Sequence, residues 1–223
     1  MYKNLHTTAV LLAILLCACA QEPVCEYDDN AQLVDMYLSA SVTSSKVALD
    51  DNMLTPLWQE DDLLAVYDGL AMRKFKLVSG AGTKSAVFSG KVYSGASTLT
   101  AVYPYSAAKL SSGKLVYSIP AEQTVGAPGA DPSALVMQAK AAPGSTLVFH
   151  NCTSLLRFSA PEGVSSVTFI LDDFKASLSM PGVAGNYAVA IEPGIYSSVK
   201  AIIHADGAGY VMESDNIDRK SVV

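Results

Sequence analysis

Few side chains in this sequence are of the types that carry covalent, proton-transfer or metal chemistry, and their spacing does not gather them. The chain has three histidines and four cysteines among 223 residues. His150 and Cys152 stand two apart, so on a strand they share a face. Thiol catalysis requires an imidazole directly beside the sulfur. Their apolar neighbours instead predict core packing. His204 runs into Ala205-Asp206-Gly207, a strand end entering a turn. Asp61-Asp62 and Asp172-Asp173 pair carboxylates of the kind used in glycoside hydrolysis or Ca²⁺ binding. Adjacent strand residues point to opposite faces, so solvated strand ends are expected at both. No Gly-x-Ser-x-Gly elbow, Cys-x-x-Cys pair, metal-spaced histidine pair or phosphate-cradling glycine loop occurs. The reading is no enzyme, no catalytic residue, no metal and no cofactor. Aromatic rings remain as recognition groups. Trp58 is the single tryptophan among eleven tyrosines, and Trp58, Tyr103 and Tyr105 are the candidates for stacking on a ligand. Tyrosine is equally ordinary on strands.

The elements that hold these residues begin with a leader. Lys3 precedes the apolar run Ala9-Val10-Leu11-Leu12-Ala13-Ile14-Leu15-Leu16, which closes on Cys17-Ala18-Cys19. A positive start, a short apolar run and a small-residue end define a secretory signal. The run is far below the ~20 residues of a membrane span. Leu16-Cys17-Ala18-Cys19 resembles the bacterial lipobox, which implies cleavage between Ala18 and Cys19 and acylation of the Cys19 sulfur. Two or more acyl chains, at ~0.8 kcal/mol per buried methylene, make a durable anchor. Residues 1–18 are thus read as signal peptide and 19–32 as an acidic tether, carrying Glu22, Glu26, Asp28 and Asp29. Cys25 and Cys152 would face an oxidising compartment. Cys25 lies in the tether, so no structural disulfide is expected. The net charge of −6 argues against nucleic acid, whose phosphates need clustered Lys and Arg.

From Leu33 onward the pattern is strands. Val34, Met36 and Leu38 alternate with Leu33, Asp35 and Tyr37. Leu63 to Tyr67 ends at Asp68-Gly69, a hairpin signal. Short apolar-alternating runs then recur between Gly, Ser and Pro clusters as far as Glu213, the pattern of an all-β sandwich or barrel. Only Asp131 to Ala141 invites a turn or two of helix, with Asp131 as cap and Pro132 in the first turn. The expected organisation is an N-terminal sandwich over 33–144 and a C-terminal sandwich over 145–223, the second short or incomplete, with the boundary near Pro143.

Seven short motifs occur in an order similar to that of the fimbrillin family, lipoprotein subunits of type V pili in Gram-negative anaerobes. They are Trp58-Gln59-Glu60-Asp61-Asp62-Leu63, Ala86-Val87-Phe88-Ser89-Gly90, Ala101-Val102-Tyr103-Pro104-Tyr105, Ile119-Pro120-Ala121-Glu122-Gln123, Leu135-Val136-Met137-Gln138-Ala139, the stretch from Val148 to Phe158, and Pro193-Gly194-Ile195-Tyr196. The resemblance implies two transthyretin-like β-sandwich domains and outer-membrane, cell-surface localisation. It also implies adhesion through a fimbria and assembly with other pilus subunits by strand exchange. In that family an N-terminal strand occupies its own groove until a protease cuts the loop behind it. Leu33 to Val42 matches that strand. Lys46 stands where the family often has Arg, and is the candidate maturation site. A second reading is a surface lipoprotein that binds glycans or peptides for a nutrient-uptake system, with Trp58, Tyr103 and Tyr105 as its rings.

Overall fold

Alternating apolar residues, with glycine or proline between the runs, leave this chain little choice but sheets, and strands account for nearly all its regular structure. A computed structural model describes residues 32–42, 57–172, 174–194, 198–205 and 208–210. Cys19, Cys25 and Lys46 lie outside the described residues, as do Asp173 and Tyr196.

Seven strands close into a barrel: β1 (Leu33–Val42), β2 (Leu63–Tyr67), β3 (Met72–Ser79), β4 (Ser85–Tyr93), β5 (Leu99–Tyr103), β9 (Met137–Ala141) and β10 (Leu147–Asn151). Around the barrel the order is β1-β10-β9-β5-β2-β3-β4, and β4 pairs back onto β1. Closure gives each of these strands a neighbour on both sides, although β1 meets β10 over three residues only. The interior takes one side chain in two from each strand, including Leu38, Phe75, Phe88, Leu99, Leu147 and Phe149. Gly90 permits the close approach of the Phe75 ring, since a Cβ there would lie 2.6 Å from it. A small hairpin, β6 (Ala108–Ser111) and β7 (Lys114–Tyr117), stands beside the barrel.

A second core follows. β16 (Ala208–Tyr210), β15 (Val199–Ala205), β12 (Val164–Leu171), β13 (Phe174–Ser179) and β8 (Glu122–Thr124) form one sheet in that order. β11 (Ser154–Ala160) and β14 (Gly185–Ile191) form a two-stranded partner. Leu156, Tyr187, Val189 and Ile191 of the pair meet Val167, Phe169, Leu171 and Leu178 of the larger sheet in a common apolar layer. The all-β class expected from the sequence is the class observed.

The division of the chain differs from the expected boundary after residue 144. β10 lies beyond it, yet pairs with β9 and β1 in the barrel. β8 lies before it, yet pairs in parallel with β13 of the second sheet. The reason is local. Pro143-Gly144 is a tight turn, with Gly144 at φ 82° and Ser145 N–H donating to Ala142 O at 3.1 Å. Proline followed by a positive-φ glycine is the signature of a type II turn, so this breaker joins neighbouring strands instead of separating domains. The helix invited at Asp131 also shrinks. Asp131 caps a single 3₁₀ turn, Pro132–Ala134, by accepting from Ser133 N–H. The chain then enters β9, because Met137 and Ala139 are needed inside the barrel.

Candidate functional site

Of the three rings expected to stack on a ligand, Trp58 is excluded from solvent. It is 1% exposed, with Phe88, Tyr103 and Phe149 edge-on to it at centroid distances of 5.1, 5.3 and 5.5 Å. Its Nε1–H donates to Lys84 O at 3.3 Å. An indole needs one acceptor when buried, and the backbone supplies it. Trp58 is therefore a plug for the barrel and not a stacking platform. Tyr103 is half-buried against it, and its hydroxyl donates to Asp62 Oδ1 at 2.9 Å. Burial first, and then the neighbouring Asp62 carboxylate, push the Tyr103 phenol well above its ordinary value. Tyr105 is also half-buried, with Lys74 Nζ 4.8 Å from its ring centroid. That cation covers one face of the ring.

The remaining chemistry-bearing residues stay apart. His150 is exposed, contrary to the core packing expected for it, because inward positions on β10 fall at Leu147 and Phe149. Cys152 is half-buried and its thiol donates to His150 O at 3.8 Å. Burial raises the Cys152 thiol above its usual range, and a hydrogen bond with Tyr117 opposes part of that rise. The Tyr117 phenol is raised in turn, by burial and then by Cys152 and Glu192. A raised thiol is a poor nucleophile at neutral pH. Asp61 is solvated, 3.9 Å from Lys76 Nζ. Asp62 instead caps its own turn, accepting from Gln59 N–H at 2.7 Å. Asp172, at φ 48°, accepts from the Ser198 N–H and hydroxyl. His204 is exposed on β15. Among the described residues, no three of His, Cys, Asp or Glu gather as a metal site would require.

Sequence reasoning read Asp68-Gly69 only as a turn. Asp68 is 1% exposed and accepts from four donors. Leu70 N–H and Ala71 N–H reach Oδ1 at 3.0 and 2.8 Å, while Arg73 Nε and Tyr93 N–H reach Oδ2 at 2.7 and 2.9 Å. Burial alone would raise this carboxyl. Ala71 N–H, the Arg73 guanidinium, Tyr93 N–H and Leu70 N–H together outweigh it and hold the group below its ordinary value. One side chain thus ties the β2–β3 hairpin to the end of β4. The signal was present: an Asp followed by Gly at a strand end, with Arg five residues on.

The strand singled out by the sequence has an uneven seat. β1 pairs antiparallel with β4 along nine positions, from Leu33↔Tyr93 to Ser41↔Ser85. On its other side it meets β10 in parallel only from Ala40↔Leu147 to Val42↔Phe149. Val34, Met36, Leu38, Ala40 and Val42 point inward, while Leu33, Asp35, Tyr37 and Ser39 point out. In comparison with known proteins, no family model, no curated protein and no solved structure matches this chain.

Proposed function

We propose that this protein is a lipid-anchored, cell-surface, fimbrillin-like structural subunit or anchor of a fimbria, working in adhesion by contact and assembly. The observation that carries the proposal is the seat of β1. It is a ten-residue strand, apolar on its inward face, bonded fully to one neighbour and for three residues to the other. A strand so held separates from β10 at little cost in ladder bonds. Its full release also breaks the nine-position ladder to β4, and an equivalent strand from another subunit remakes that ladder in the same register, so the exchange conserves those bonds. The finer features, transthyretin-like domains, outer-membrane placement and acylation at Cys19, rest on the lipobox and motif resemblance.

Two experiments test the reading. Ser39→Cys with Val87→Cys places thiols on a directly opposed pair of β1 and β4, so that oxidation locks β1 in place. Immunogold microscopy of surface filaments should then show loss of incorporation, restored by reductant. Filaments that form equally with the lock closed would remove strand exchange from the account. Separately, Cys19→Ser should move the protein from the membrane to the soluble fraction, and retention of that variant would remove acylation as the anchor. The glycan-binding alternative loses its central ring, because Trp58 lies inside the barrel.

A further inference from the structure

A shallow cleft of about 330 Å³ opens on the outer face of the barrel, between the β2–β3 turn and the loop joining β4 to β5. Its floor is a cross-strand row. Tyr67 of β2 stands opposite Thr100 of β5, and Thr100 stands opposite Lys140 of β9. All three point outward, since their strand neighbours Val66, Ala101, Leu99 and Ala139 are buried. Two strand spacings, roughly 10 Å, separate the ends of the row. Ser97 and Thr98 form one wall. Tyr93 forms the end, its ring laid over Gly95 so closely that a Cβ there would sit 2.7 Å from the ring.

The walls are fixed from beneath by Asp68. Its carboxylate holds the backbone N–H of Leu70 and Ala71 in one wall and that of Tyr93 beside the other. Asp68 is itself neutralised by Arg73 at 2.7 Å, so it adds no free negative charge to the cleft. The Tyr67 hydroxyl is oriented by donating to Gly69 O at 2.8 Å. Lys140 is exposed and pairs with no carboxylate among the described residues.

From this geometry we infer that the cleft binds a single acidic sugar residue, a pyranose bearing a carboxylate. Two phenol rings supply area at little entropic cost. Three aliphatic hydroxyls, on Ser97, Thr98 and Thr100, match the donors and acceptors of a sugar ring. Lys140 pairs with the carboxylate as a point charge. The volume lies at the lower end of ligand pockets, which suits one ring and not an extended chain. The floor of the site lies on β2, β5 and β9, and Tyr93 at its end belongs to β4, where it pairs with Leu33 of β1.

Methyl glucuronide and its neutral counterpart methyl glucoside are the probes, titrated onto the full chain by saturation-transfer NMR at low ionic strength. The glucuronide should bind at least fivefold more tightly, and added salt should narrow the gap. Lys140→Gln should abolish the preference without changing the melting temperature. Gly95→Ala should displace the Tyr93 ring and weaken both sugars tenfold. Absence of saturation transfer to the glucuronide, equal binding of the two sugars, or an unchanged preference in Lys140→Gln would each overturn the assignment. Filament formation is scored separately, so these outcomes do not bear on strand exchange.

Discussion

Asp68 shows how one buried charge can be worth keeping. A carboxylate taken out of water is costly unless hydrogen bonds and an opposite charge replace the lost solvation. Here three backbone N–H groups and the Arg73 guanidinium do so. Asp68→Asn keeps the shape but removes the charge that pairs with Arg73 at 2.7 Å and turns one oxygen into a donor facing donors. Its expected cost is about 3 kcal/mol in urea unfolding at neutral pH. The pH dependence follows from the lowered carboxyl. A depressed folded-state value stabilises the protein fully above the unfolded value of 3.8, and the stabilisation is lost as pH falls below that through the folded value. The gap between wild type and Asp68→Asn should therefore be widest at pH 7 and shrink on acidification below pH 3.8. A constant gap across that range would mean that packing, and not charge, holds the turn.

At the scale of elements, β8 is the piece that sequence reading could not place. Three residues are too few for a visible alternation, and its partners are more than fifty positions away. Besides its parallel ladder to β13, one side chain fastens it to the other sheet. Gln123 is 1% exposed. Its amide nitrogen donates to Pro120 O and Ala190 O at 3.0 and 2.6 Å, and its oxygen accepts from Ala190 N–H at 2.8 Å. The amide thus mimics a strand's peptide group and joins the five-stranded sheet to β14. Gln123→Ala strands both backbone groups of Ala190 in an apolar layer, at an expected cost of about 2–3 kcal/mol. Hydrogen exchange should show faster opening at β8 and β14 while the barrel strands keep their protection. The longer strands β1 and β3 were legible, since their apolar residues alternate, and β2 was legible as an apolar run ending at Asp68-Gly69. β9 was not, because Ala134, Leu135 and Met137 fit a helical face equally well. Only the need for Met137 inside the barrel decides it. In the same way, the inward or outward choice for Trp58 and His150 depends on register, which a single sequence does not state.

For the molecule as a whole, the two halves are laced together. β8 crosses from the first half into the second sheet, and β10 returns from beyond the expected boundary to the barrel. A chain split between residues 144 and 145 therefore leaves each fragment short of a strand that its own core requires. Neither fragment should give a cooperative thermal transition alone, whereas the two expressed together should recover one. Independent folding of the first fragment would show that Leu147 and Phe149 are dispensable to the barrel. The lacing also sets a timetable. β1 emerges first during synthesis, but the strand that completes its other side is more than a hundred residues downstream. Such distant pairing carries a large loop-closure cost and slows the search. The earliest of the described strands to leave the ribosome must wait, half-clad, until about half of the polypeptide has followed it, open meanwhile to any chaperone that meets the nascent chain.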